Sequence, residues 1–217
     1  VMRRKVGDYV NIFNGESDEF EAKITEAGKN RCVLQPLEKS KTFFSSPGVS
    51  LYYSPVKNVK NEYLVQKATE LGVAKIVPVA FNNTIKRKIN IERCKAVAIE
   101  AAEQCERMDI PEISDVISFD QLISQTHNKN IMLCDESGQG KPIDEIQPDQ
   151  SENSWAIIIG AEGGFTKQEL ERFYQLKNLY GVGLGPRILK ADTALISALT
   201  SWQIKFGDFN KSPDFRK

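Results

Sequence analysis

The chain has 217 residues, of which 41% are hydrophobic and 27% charged, and its formal net charge is zero. These values suit one large domain, or a medium domain with a small one, and exclude a disordered or fibrous protein. Balanced charge also excludes a protein that grips nucleic acid by global charge alone, and no apolar run approaches the roughly 18 residues of a membrane helix.

Residues 1–50 read as a small β unit. Segment 8–13 alternates apolar and polar residues, Asn14-Gly15 is a turn signal, 19–24 alternates again, and 31–34 follows. The chain starts at Val1, already beside the first of these segments, so the reading expects an N-terminally incomplete unit. Ser45-Ser46-Pro47-Gly48 marks the expected boundary, with Pro55 just beyond it. From 51 to 217 helices and strands alternate. Helix 62–71 ends at Gly72, and strand 74–79 follows. A long helix covers 91–107, with Ile91, Cys94, Ala98, Ala101, Ala102 and Cys105 near helical spacing. Segments 130–134 and 155–159 are buried strands. Helix 166–176 opens on Thr166 as N-cap, with Glu169 three residues on as in a capping box. Strand 180–184 and helix 192–206 complete the pattern, which implies an α/β layer with a mainly parallel sheet.

Cys32, Cys94, Cys105 and Cys134 form no CxxC pair and read as buried thiols of a cytosolic protein. His127 is the single histidine, so zinc-ligand spacing is missing and no metal is expected. Three strands end in turn-forming residues: Cys134 before Asp135-Glu136-Ser137-Gly138, Ile159 before Gly160-Ala161-Glu162-Gly163-Gly164, and Leu184 before Gly185-Pro186-Arg187. Ligands of open α/β sheets bind at the carboxyl ends of strands, where glycines let backbone approach closely. A phosphate loop fails, because Gly140-Lys141 is followed by Pro142. A dinucleotide fingerprint fails too, because Gly181, Gly183 and Gly185 are spaced GxGxG. The residues alone reach a nucleotide-like ligand, or else simple helix stops and tight turns.

The stretch Ile159-Gly160-Ala161-Glu162-Gly163-Gly164-Phe165-Thr166, followed by Gly183-Leu184-Gly185-Pro186-Arg187-Ile188-Leu189-Lys190-Ala191-Asp192-Thr193-Ala194, closely resembles the signature of the RsmE family. These are 16S ribosomal RNA uridine-N3 methyltransferases of the SPOUT superfamily. Gln66-Lys67-Ala68-Thr69-Glu70-Leu71-Gly72-Val73 is similar to the family's early helix. Glu100-Ala101-Ala102-Glu103-Gln104-Cys105-Glu106-Arg107 is similar to its second motif. The ordered match covers nearly the whole chain. This sequence departs from the family at Ala161, Lys190, Ala191 and Asp192. Asn82 and Asn83 stand where the family often carries a basic residue.

The resemblance implies a small N-terminal PUA-like β-barrel and a SPOUT-type α/β domain with a trefoil knot. It also implies a homodimer, S-adenosylmethionine as cofactor, and 16S ribosomal RNA in the small (30S) ribosomal subunit as substrate. Cofactor contacts are expected from Leu133, Gly160, Glu162, Gly163, Leu184, Gly185, Ile188 and Leu189. N3 of uracil holds a proton near neutral pH. Either a carboxylate takes it or a cation stabilises the uracil anion. Arg107 is the candidate cation, Glu162 a base or cofactor-orienting group, and Glu103 a weaker base candidate. RNA contacts are expected from Arg3, Arg4, Lys5, Lys86 and Arg87, and from Arg187 and Lys190; Arg187 is equally open to a salt bridge that closes the knot. Two other readings stand beside this one: a non-catalytic RNA-binding or ribosome-assembly protein, and a methyltransferase of the same fold with a different RNA target.

Overall fold

The structure, a computed structural model, describes residues 4–57, 60–85, 88–135, 138–148, 152 and 154–212. Its N-terminal part is a three-stranded antiparallel sheet in the order β1 (Tyr9–Ile12), β2 (Glu19–Ala27), β3 (Cys32–Lys41). Asn14 turns the chain between β1 and β2 by accepting the Glu16 and Ser17 N–H groups at 3.0 and 2.9 Å. β3 runs well past the expected residue 34. Register shifts in β2 let the longer strand follow the twisted partner.

The rest of the chain builds a parallel sheet. Its strands are β4 (Val49–Tyr53), β5 (Lys75–Ala80), β6 (Glu112–Ile113), β7 (Ile117–Ser118), β8 (Asn130–Cys134), β9 (Trp155–Ile159) and β10 (Leu179–Val182). The order is β10-β8-β9-β4-β5-β6, with β7 also beside β5, and every pairing is parallel. Strands β4 and β9 have neighbours on both edges and helices on both faces. They are therefore continuous buried runs and show no alternation. Trp155, Ile157 and Ile159 face one core with α1 (Asn61–Glu70), α2 (Ile91–Gln104) and α5 (Ala191–Phe206). Ala156 and Ile158 face the other with α3 (Phe119–Thr126) and α4 (Lys167–Phe173). In the first core Trp155 stacks on Phe206 at 4.6 Å and meets Trp202 edge-on at 6.2 Å.

Five elements differ from the sequence reading. β4, between the expected boundary at 45–48 and Pro55, has no counterpart in that reading, yet it is a central strand. α3 had no counterpart, although Ser118 and Gln121 form a full capping box at its start. β6 and β7 are two-residue strands, too short for any periodicity. α2 stops at Gln104 rather than running to 107. Glu106 takes φ +57°, and Arg107 N–H folds back to Ala102 O at 3.0 Å, which closes the helix. Of the four thiols expected to be buried, Cys94 alone is fully so; Cys32 is exposed.

Beyond β8, residues 138–142 run alongside the end of β10. Lys141 N–H donates to Gly181 O at 2.9 Å, and Gly183 N–H donates to Lys141 O at 3.0 Å. The two backbones approach so closely that a Cβ on Gly140 would collide with the Gly183 nitrogen. No helix among the described residues is long and apolar enough to cross a membrane.

Candidate cofactor cleft

Parallel strands all deliver their carboxyl ends to one edge, so the segments that leave β4, β5, β8, β9 and β10 converge there. They enclose a cleft of about 800 Å³, within the range of roughly 300–1,000 Å³ for small-molecule sites. Val56 follows β4, and Ile85 lies beyond β5. Cys134, Asp135 and Gly138 come from the turn after β8. The turn after β9 gives Gly160, Ala161, Glu162, Gly164 and Phe165. Residues 182–192 and Ala194 form the far wall.

The glycine turns thus meet in one site, as the sequence reading expects. Gly160, Glu162, Leu184, Gly185, Ile188 and Leu189 all line it. Gly185 has φ +101°, a conformation that L side chains rarely adopt, and a Cβ there would meet nothing within 4 Å. Leu133 and Gly163 do not line the cleft. Leu133 is buried in the core between β8 and α4, because its side chain points to the face opposite Met132. Cys134 and Asp135, one and two residues on, form the wall instead. Gly163 faces outward, where the Asn83 amide donates to its carbonyl at 2.9 Å.

The walls combine apolar side chains with exposed backbone. Val56, Ile159, Ile188 and Leu189 suit a flat apolar ring, and the glycine peptides can read its polar edge. Burial pushes the Cys134 thiol up to about 12. At neutral pH it is therefore a neutral thiol and a poor nucleophile, which protects it beside any alkylating ligand. Asp135 is buried and accepts the Tyr174 hydroxyl at 3.1 Å. Burial first, and then the Asp135 charge and hydrogen bond, raise the Tyr174 pKa. Sequence reasoning misses Val56 and Ile85 as wall residues, and it names Asp135 only as part of the turn after Cys134. The position of Asp135 directly after a buried strand was the signal available.

The three catalytic candidates part company. Glu162 is exposed and lines the cleft. Glu103 is exposed on α2 and is not in the cleft wall. Arg107, expected as a free cation, is 7% exposed and lies outside the wall. Its Nε and Nη2 donate to Asp109 at 2.8 and 2.9 Å, and Nη1 donates to Thr69 O at 2.9 Å. Asp109 also accepts the Ser46 N–H and hydroxyl, so the pair ties α1, the end of α2 and the stretch after β3 together. Burial alone would raise the Asp109 carboxyl. The Arg107 hydrogen bonds and charge, with Ser46, outweigh it and hold the carboxyl below its ordinary value. Arg107 is therefore an anchor, since the fork of the guanidinium is committed to Asp109.

Among the cations expected to meet RNA, Arg187 and Lys190 are exposed at the cleft rim. Arg187 pairs with no carboxylate among the described residues. Arg4 and Lys5 are exposed ahead of β1, while Arg3, Lys86 and Arg87 lie outside the described residues. No cluster of three or more metal-ligating side chains occurs among the described residues.

Comparison with known proteins adds chemistry to this geometry. Residues 45–203 match the model of an RNA methyltransferase domain, and residues 1–37 that of an RNA methyltransferase PUA domain. The chain is 34% identical to the ribosomal RNA small subunit methyltransferase E of Rickettsia conorii, over 92% of this chain and 82% of that protein. It is 30% identical to the protein of the same name from Bacillus subtilis, over 93% and 83%. Among solved structures, it resembles a ribosomal RNA small subunit methyltransferase E from Neisseria gonorrhoeae bound to S-adenosyl methionine. There the identity is 26%, the TM-score 0.83, and the coverage 94% of this chain and 86% of that one. A putative methyltransferase from Legionella pneumophila, in complex with the same cofactor, is 28% identical with a TM-score of 0.82, over 95% and 86%.

Proposed function

Because the chain belongs to the ribosomal RNA small subunit methyltransferase E family, we propose that it methylates N3 of one specific uridine in the 16S RNA of the small ribosomal subunit, acting as a cytoplasmic homodimer. It is an S-adenosylmethionine-dependent ribosomal RNA methyltransferase with a SPOUT-type α/β domain and a PUA-like N-terminal unit. The observation that carries the reading is the cleft: three glycine turns from adjacent strands form one apolar, backbone-lined site. We read the passage of residues 138–142 beside 181–183 as part of the trefoil crossing.

When bound, the cofactor supplies an electrophilic methyl group on a sulfonium. The protein's task is then to position, to exclude water and to remove one proton. The turn after β9 and residues 183–189 hold the cofactor through backbone and apolar contact. Glu162 is the one exposed carboxylate on the Gly160–Gly164 turn, and we assign it the N3 proton. Arg187 and Lys190 at the rim take the phosphates beside the target base, which leaves its stack to reach the site. Ile204 on α5 is 67% exposed, an unusual cost for isoleucine, and it supports pairing of two copies along that helix.

Incubation with unmodified small subunits and labelled cofactor tests the assignment. Incorporation should follow, with a reverse-transcription stop at a single uridine, since N3 methylation blocks pairing. A stop at another base would overturn the substrate. No heat on titration with S-adenosylmethionine would overturn the cofactor site.

A further inference from the structure

The loop after β5 presses on the cofactor cleft from outside. Phe81 is buried at its root, edge-on to Phe165 at 5.2 Å and 81°. Thr84 accepts the Phe81 N–H at 2.9 Å and shares a hydrogen bond with Ser54, so the loop is fixed at both ends. Between these points Asn82 N–H donates to Glu169 at 2.9 Å. Glu169 is 2% exposed, and it also accepts the N–H and hydroxyl of Thr166 at the start of α4. The capping carboxylate of α4 thus fastens this loop as well as its own helix.

Asn83 is exposed, yet its side-chain nitrogen donates to two consecutive carbonyls, Gly163 O at 2.9 Å and Gly164 O at 3.2 Å. The turn's own backbone contributes one bond, Gly164 N–H to Ala161 O at 2.8 Å. Gly160, Ala161, Glu162 and Gly164 line the cleft on the inner side of that turn. A turn rich in glycine has many accessible shapes, and each must be restrained before its backbone can meet a ligand. The carboxamide nitrogen carries two N–H groups, and these two adjacent carbonyl oxygens both lie within its reach.

We propose that Asn83 is a positioning residue for S-adenosylmethionine: its amide clamps the outer carbonyls of the Gly160–Gly164 turn and thereby sets the inner wall. The clamp acts through the turn and makes no contact with the reacting atoms. It rests on the reading of the cleft as the cofactor site.

Calorimetric titration of S-adenosylmethionine into the full chain tests it, with Asn83→Ala, Asn83→Gln and Asn83→Asp beside the wild type. Asn83→Ala should weaken binding about five- to tenfold, the loss of one to two modest hydrogen bonds. Asn83→Asp should be weaker still, because a carboxylate would face two carbonyl oxygens. Asn83→Gln should recover part of the affinity, since it keeps the donor. KM for the cofactor should rise in step while kcat at saturation stays within about twofold, and melting temperature should move little at this exposed site. Equal affinity across the four proteins, or Asp above Ala, overturns the clamp alone. So does a loss of affinity that simply follows a loss of thermal stability. Failure of the wild type to bind overturns the cofactor reading, and this inference with it.

Discussion

Replacing Asp109 by alanine should damage the fold far more than its partial exposure implies. The Arg107 and Asp109 side chains are 6% and 14% exposed, and two N–H···O contacts at 2.8 and 2.9 Å join them. Asp109→Ala leaves a buried guanidinium with Thr69 O as its named acceptor and also strips Ser46 of two bonds. Removing one partner of a buried ion pair costs about 3–5 kcal/mol. For a chain of this size each kcal/mol moves the melting temperature by roughly 2–4 °C, so a fall of about 6–20 °C is expected. Thermal unfolding followed by far-ultraviolet circular dichroism measures the fall, and urea unfolding measures the free energy. A double variant, Arg107→Met with Asp109→Leu, removes both charges and should recover most of the loss. A cost under about 1 kcal/mol for Asp109→Ala would refute the anchor. So would a double variant as unstable as the single one. Arg107→Lys separates anchor from catalyst: it keeps the charge but loses the fork. The anchor predicts reduced stability with cofactor affinity retained, whereas a catalytic cation predicts lost turnover on an unchanged fold.

The same pair sets an acid limit. Asp109 has a folded pKa below its ordinary value, so its contribution is complete above the unfolded value of about 4 and is lost as pH falls through the folded one. Unfolding free energy should therefore drop below about pH 4, and Asp109→Asn should flatten that drop. Gly185→Ala should weaken cofactor binding about tenfold or more in calorimetry, because φ +101° is strained for any side chain, while the exposed turn spares global stability. Unchanged affinity would mean that the turn relaxes freely. Arg187→Ala should weaken RNA binding and reduce the slope of log affinity against log salt by about one, as read by filter binding at several ionic strengths. A slope equal to that of the wild type would remove Arg187 from the phosphate contacts.

How far the sequence reveals this molecule depends on the range of the forces involved. The buried strands Asn130–Cys134 and Trp155–Ile159 are legible because parallel strands covered on both faces must be apolar throughout. The Thr166–Glu169 capping box is legible because its bonds span three residues. β4 hides because Ser50 and two tyrosines beside Pro47 and Pro55 look like linker; only neighbours far along the chain make it central. In the site, the glycine turns are visible as strand ends. Asn83, whose partners lie 80 and 81 positions away, leaves no local trace. Arg107 misleads for the same reason, since its motif is local while its buried setting comes from Thr69 O, which accepts from it, and from Asp109, which Ser46 holds in place.

The aromatic cluster of the first core has an optical consequence. The two tryptophans of the chain, Trp155 on β9 and Trp202 on α5, are both buried there and within 6.2 Å of each other. α5 begins at the cleft wall, where Ala191, Asp192 and Ala194 stand. Indole emission is thus a private channel of the α/β layer. It reports the packing of that layer, and the N-terminal sheet, which holds no tryptophan, must be followed by amide or tyrosine signals instead.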